Sequence, residues 1–209
     1  PGLDTRVGGT VVISQNISHQ VSKDIGRAES LSLPIVMVLL VIIFGGVVAA
    51  SLPLAIGMTA ILGAFTALRA FTLVTDVSVF AINIITILGL GLAIDYGLFM
   101  VSRYREELAR TGDVQAAVAR TMATAGRTVA VSGLTVAVSL SGLLIFPQVF
   151  LRSMGFGGIS AVLLAMIAAL TLLPALLGVL GHRVEALSVR PLLRRLTRRR
   201  SARRAGTSA

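Results

Sequence analysis

The chain has 209 residues, 55% of them hydrophobic and only 13% charged, with a mean hydropathy of +0.90, where a soluble domain carries about 25% charged residues. It has no cysteine, and its two histidines, His19 and His182, lie far apart, which excludes disulfides and thiolate sites and leaves no His-based zinc centre. The formal charge of +10 does not point to nucleic acid: from His182 onward there are nine arginines against Glu185 alone, with no aromatic residues between them.

In chain order, residues 1–30 are polar and read as the end of an extracytoplasmic domain, a piece of a longer chain. Val7–Ser14 (VGGTVVIS) predicts a short strand. Asn16 can cap a following helix on which Ile17, Val21, Ile25 and Ala28 repeat at helical spacing. Five apolar segments then predict an all-α integral membrane domain over 31–181. The first, 31–50, is uncharged and long enough to cross ~30 Å of hydrocarbon at 1.5 Å per residue. Ser51-Leu52-Pro53 reads as a turn, with Pro53 in the first turn of the next helix. The second span is 54–74, with Arg69 near its end, and Thr75-Asp76 marks a break. The third is 78–101. Residues 102–127 are polar and predict two helices at the membrane surface, separated by Gly112 and capped by Asp113. Arg103/Glu107 and Glu106/Arg110 are i,i+4 pairs on the first of them. The fourth span is 128–146 and the fifth 154–181, with Pro174 inside it. The basic tail, 182–209, predicts a disordered segment that orients the protein or touches anionic lipid headgroups.

Five spans place the termini on opposite sides. Fourteen arginines fall on the side of the tail and of 102–127, against five Lys or Arg on the other. The positive-inside rule then puts the C-terminus in the cytoplasm and the N-terminus outside.

Asp95 is the most informative residue, a carboxylate inside a span with no cation on that span. Such a placement costs ~2.5–3.5 kcal/mol on insertion scales, so it is kept for a role. A low dielectric disfavours the ionised form and lets the group take up and release a proton. The competing readings are a structural carboxylate held by serines or by a partner helix, and a metal ligand. Gly91 lies one turn before Asp95 and leaves space beside it. Gly89, Ala93 and Gly97 form a separate small stripe suited to close helix packing. Tyr96 can hydrogen-bond across a helix interface. The run GLGLAIDYG is no dinucleotide fingerprint, since it lacks the third glycine and lies within an apolar helix. On the fourth span Thr128, Ser132, Thr135 and Ser139 fall within about 60° on a helical wheel. They suggest a polar path, or side chains that bond only to their own backbone.

The run GLGLAIDYGLFMVSRYREE, with AAVARTMATAGRTVAVSG and LLIFPQVFLRSMGFGGISAVLLA, resembles the mycobacterial membrane protein Large (MMPL) family of the resistance-nodulation-division superfamily. The resemblance runs from VGGTVVISQNISHQVSKDIGRAES to HRVEAL. It implies an inner-membrane, twelve-span exporter of lipids or lipid precursors, driven by protons, of which this chain supplies the second to sixth spans of the first half. It further implies a proton relay of Asp95 and Tyr96 contacted by Ser132, no cofactor, and a second half or equivalent subunit with its own Asp-Tyr pair. A five-span lipid-sensing or scaffold module of the sterol-sensing type, and a non-functional truncated transporter, are the alternatives. No Ser/His/Asp set, metal cluster or nucleotide loop can be assembled from these residues, so an enzyme is the poorest reading.

Overall fold

The computed structural model describes residues 10–73, 77–78 and 80–185. Among them the fold is helical throughout, with five helices long and apolar enough to cross a membrane. Helix α1 is Thr10–Phe44, α2 Val47–Phe71, α3 Phe80–Thr111, α4 Val114–Thr121, α5 Arg127–Ser141 and α6 Val149–Leu180. A π-helical turn, Met122–Gly126, joins α4 to α5, and 3-10 turns at Gly142–Ile145 and Gly181–Glu185 follow α5 and α6. The chain divides into two compact units, residues 1–36 and 37–209. The described part of the first is the amino-terminal portion of α1, where Gln20 donates to Asp24 one turn on.

The predicted strand is not formed. Residues 7–9 lie outside the described residues, and Thr10–Ser14 are the opening of α1, so Asn16 is interior to the helix and caps nothing. A strand needs a neighbour to complete its backbone hydrogen bonds, whereas a helix completes its own. No strand lies among the described residues to receive it.

The first turn of the membrane domain also falls earlier than expected. Helix α1 ends at Phe44 because Gly45 takes φ +64 and turns its amide back to the Val41 carbonyl (2.8 Å). Only glycine adopts that left-handed conformation without steric cost. The spanning stretch of α1 therefore moves to Gly26–Phe44, and Ser51-Leu52-Pro53 lies inside α2 instead of between helices. Pro53, seven residues into α2, cannot donate to the carbonyl of Ala49.

Helices α2, α3 and α6 all touch one another and form the core. Ala64, Leu68, Ala81, Ile85 and Ala161 are buried where they meet, with Ile61, Phe65 and Val77 packed against them. Small side chains set the approach. A Cβ on Gly157 of α6 would stand 2.9 Å from the Ala81 carbonyl oxygen of α3. Between α2 and α3 the register is antiparallel. Gly97 lies against Pro53, Ala93 against Gly57 and Gly89 against Ile61. A Cβ on Gly97 would fall 2.8 Å from the Pro53 ring and 2.9 Å from its Cα. Dispersion at such short range, rather than exclusion of water, holds helices together in lipid.

Residues 102–111, expected as a separate surface helix, continue α3 without a break. The elbow comes at Gly112, with φ +69 and its amide bonded to the Leu108 carbonyl (2.9 Å). Asp113 then accepts from the Gln115 amide (3.0 Å) and caps α4. From α4 the chain runs through the π turn directly into α5, so the second surface helix and the fourth span are one bent rod, Val114–Ile145. The π turn has a packing cause. Ala117, Thr121, Ala125, Val129, Gly133 and Ala137 are buried at strict intervals of four. Such a seam drifts by about 40° per step on an α-helix, and the wider π turn removes part of that drift. Helix α6 starts at Val149, ahead of the expected 154, and ends at Leu180 with Pro174 inside.

Candidate functional site

Helix α3 has two contrasting faces in the membrane. The buried face carries Gly89, Ala93, Tyr96, Gly97 and Met100. The opposite face carries Ile87, Gly91, Asp95, Phe99 and Ser102, all exposed. Asp95 is thus on the outer surface of the helical core, with apolar residues one turn to either side. Nothing lies within 4 Å of the position a Cβ on Gly91 would take, so Gly91 makes no helix contact among the described residues and leaves the space beside the carboxylate open. No cation pairs with Asp95 among the described residues.

Tyr96 points the other way and is 6% exposed. Its hydroxyl is buried, faces the Ser132 side chain within electrostatic range of Asp95, and makes no hydrogen bond of normal geometry. An unpaired buried hydroxyl costs about 1–3 kcal/mol. Ser132 reaches it from α5, which otherwise touches the core by the narrow Val129, Gly133 and Ala137 seam against α6. A Cβ on Gly133 would stand 2.8 Å from the Met166 sulfur, so glycine there brings α5 close.

The four hydroxyls of α5 singled out by sequence, Thr128, Ser132, Thr135 and Ser139, are all exposed, but they are not equivalent. Thr128 donates to the Thr124 carbonyl (3.3 Å), Thr135 to that of Val131 (2.8 Å) and Ser139 to that of Thr135 (2.9 Å). Each is satisfied by its own helix, which is the plainer of the two readings open from sequence. Ser132 makes no such backbone bond and faces Tyr96 instead. Tyr96 and Ser132 therefore meet between α3 and α5, while Asp95, next to Tyr96 in sequence, stands on the other face of α3.

A second carboxylate was not singled out by sequence. Glu107 is 2% exposed and is held by Arg103 (2.7 Å) and Arg110 (3.1 Å) from α3 and by Arg120 (3.7 Å) from α4. Glu106, expected to pair with Arg110, meets Arg103 at 2.7 Å. Close by, Arg105 donates to the Phe44 carbonyl, an acceptor left over at the end of α1. The Tyr104 hydroxyl donates to the Leu177 carbonyl of α6 (3.4 Å). This end of α3 is a tie point for four helices. The signal in the sequence was the Arg103/Glu107 spacing; the burial was not visible, because Arg120 arrives only after the Gly112 elbow.

Among the described residues no group of three or more His, Asp or Glu could hold a metal ion. The basic tail beyond Glu185 and the Thr75-Asp76 break lie outside the described residues.

Five helices long and apolar enough to cross a membrane define a polytopic membrane protein. The chain matches the MMPL family over residues 1–208 and belongs to it. It is 50% identical over 185 residues to a membrane protein of Streptomyces coelicolor, covering 88% of this chain and 26% of that one. To the trehalose monomycolate exporter MmpL3 of Mycobacterium tuberculosis it is 44% identical over 200 residues, 93% of this chain and 21% of the relative. To the mycolic acid-containing lipids exporter MmpL11 of Mycolicibacterium smegmatis it is 37% identical over 158 residues, 76% and 17%. The chain thus spans about a quarter or less of the length of these relatives.

Proposed function

We propose that this chain is the five-span part of a proton-driven lipid exporter, in which Asp95 loads and releases the proton while Tyr96 and Ser132 relay it. The observation that carries this reading is the placement of Asp95. It is exposed on α3, has no cationic partner among the described residues, and is next in sequence to Tyr96, whose buried hydroxyl lacks a hydrogen bond. A carboxylate facing hydrocarbon costs ~2.5–3.5 kcal/mol. The same face covered by a second half-transporter or equivalent subunit, with its own Asp-Tyr pair and water between, removes that cost. Neutralisation by a proton removes it too. A cycle alternating between those two states converts a proton gradient into helix movement.

The cargo is proposed to be a lipid or lipid precursor, the MmpL3 and MmpL11 relatives being named as exporters of trehalose monomycolate and of mycolic acid-containing lipids, and no covalent chemistry is assigned to the chain. The arginine-rich end is proposed to face the cytoplasm, in an inner membrane, with the basic tail against anionic headgroups. The test is Asp95→Asn in the complete protein, with lipid appearing on the outer leaflet and proton uptake followed together. Loss of both at an unchanged membrane level of protein supports the reading. Unchanged export would remove it and leave the lipid-sensing module as the better account.

A further inference from the structure

Below Asp95 the outer face of α3 opens into a cleft that the proton relay does not use. It has a volume of about 580 Å³ and is lined by Phe99, Ser102, Arg103 and Glu106 of α3, and by Ala123–Ala125, Arg127 and Thr128 from the π turn and α5. The two walls run antiparallel, Arg103 meeting Thr124 and Glu107 meeting Arg120, so Phe99, Arg127 and Thr128 line one end of the cleft and Arg103, Glu106, Ala123 and Thr124 the other.

The charge of the lining is positive. Arg103 and Arg127 stand against Glu106, a balance of +1. Arg103 is fixed in place by Glu106 and Glu107 (both 2.7 Å) and by the Thr124 hydroxyl (3.3 Å). Arg127 is exposed on the opposite wall, with no ion pair among the described residues. A basic pocket between spanning helices, with an aromatic side chain at one end, is the chemistry that recognises an anionic lipid headgroup. Free phosphate would use the arginine and hydroxyls but gain nothing from Phe99 and the alanines.

We propose that this cleft binds an anionic phospholipid, its phosphate against Arg127 and the Ser102 and Thr128 hydroxyls and its upper acyl chain against Phe99. The site is separate from the basic tail and does not depend on Asp95 carrying protons; it lies on the α3 face whose Asp95 part is proposed to meet a second half, and needs the Phe99–Glu106 end of that face to stay open to lipid. Occupancy would bridge α3 and the π turn, which meet through the Arg103–Thr124 contact.

The experiment uses the full chain in nanodiscs with a photoactivatable phosphatidylglycerol, the crosslinked peptides being mapped by mass spectrometry. Crosslinks are expected in 99–103 and 123–128, and unlabelled phosphatidylglycerol should compete them several-fold better than phosphatidylcholine does. Arg127→Gln should lower labelling there about fivefold, as expected for one arginine near a headgroup. Arg127→Lys should retain most of it, and Arg152→Gln, at the far end of α6, all of it. Equal competition by the two lipids, labelling confined to the tail, or no effect of Arg127→Gln would overturn the proposal. Competition by inorganic phosphate equal to that by phosphatidylglycerol would assign the cleft to a free anion instead, and overturn it as well.

Discussion

Two of the carboxylates of helix α3, Asp95 and Glu107, lie about three turns apart and are handled in opposite ways. Glu107 is buried yet ringed by Arg103, Arg110 and Arg120, all of which keep some exposure. Asp95 is exposed but has only Gly91 and Phe99 one turn away and no cation. Burial alone would mark Glu107 as the functional group. The surroundings reverse that order, because in a membrane the exposed side of a helix meets hydrocarbon, a worse place for charge than a protein interior furnished with arginines. Glu107 has three arginine partners. Asp95 has no cationic partner among the described residues, and the proposed proton-carrying role rests on that contrast.

The largest effect should separate the two by what is lost. Asp95→Asn in the complete protein should abolish proton-coupled export and leave the thermal midpoint unchanged or slightly raised, since it removes an unpaired charge. Glu107→Ala should do the reverse, lowering stability by ~2 kcal/mol, less than for a fully buried pair because its arginines remain partly hydrated. Thermal unfolding in detergent, run beside the transport assay, reads both. If Glu107→Ala abolished export at full stability, the contrast would fail.

The glycines sharpen the comparison at the level of packing. Gly97→Ala should destabilise by about 1–3 kcal/mol, since its Cβ would press on the backbone and ring of Pro53. Gly91→Ala should change stability little, having nothing within 4 Å to meet, and any loss of transport from it would report on the space beside Asp95. The smallest effects are expected on α5. Thr135→Ala and Ser139→Ala, whose hydroxyls only bond back to their own helix, should stay within about 0.5 kcal/mol of the parent and export normally. Ser132→Ala should be as stable but slower in proton uptake. Equal behaviour of all three variants would dissolve the distinction drawn between Ser132 and its neighbours.

Much of this was legible in the sequence because membrane spans depend on composition over some twenty residues, and Asp95 stands out against such a background. The small stripe Gly89, Ala93, Gly97 was readable for the same reason, since its spacing matches a close helix contact. The first turn was misplaced because Pro53 is a strong local signal, while the positive φ of Gly45 depends on where α1 must stop. The π turn could not be seen because it answers a seam spread over 117–137, not any local residue. Glu107 was hidden because its third arginine comes from beyond an elbow.

The most direct measurement is infrared difference spectroscopy of the complete protein in nanodiscs, stepping the pH and assigning the Asp95 carboxyl with Asp95→Asn. A protonated-carboxyl band that grows on acidification, vanishes in the variant and persists in Glu107→Gln is the predicted result. A band absent at every pH where the protein remains folded, with Asp95 ionised throughout, would contradict the account.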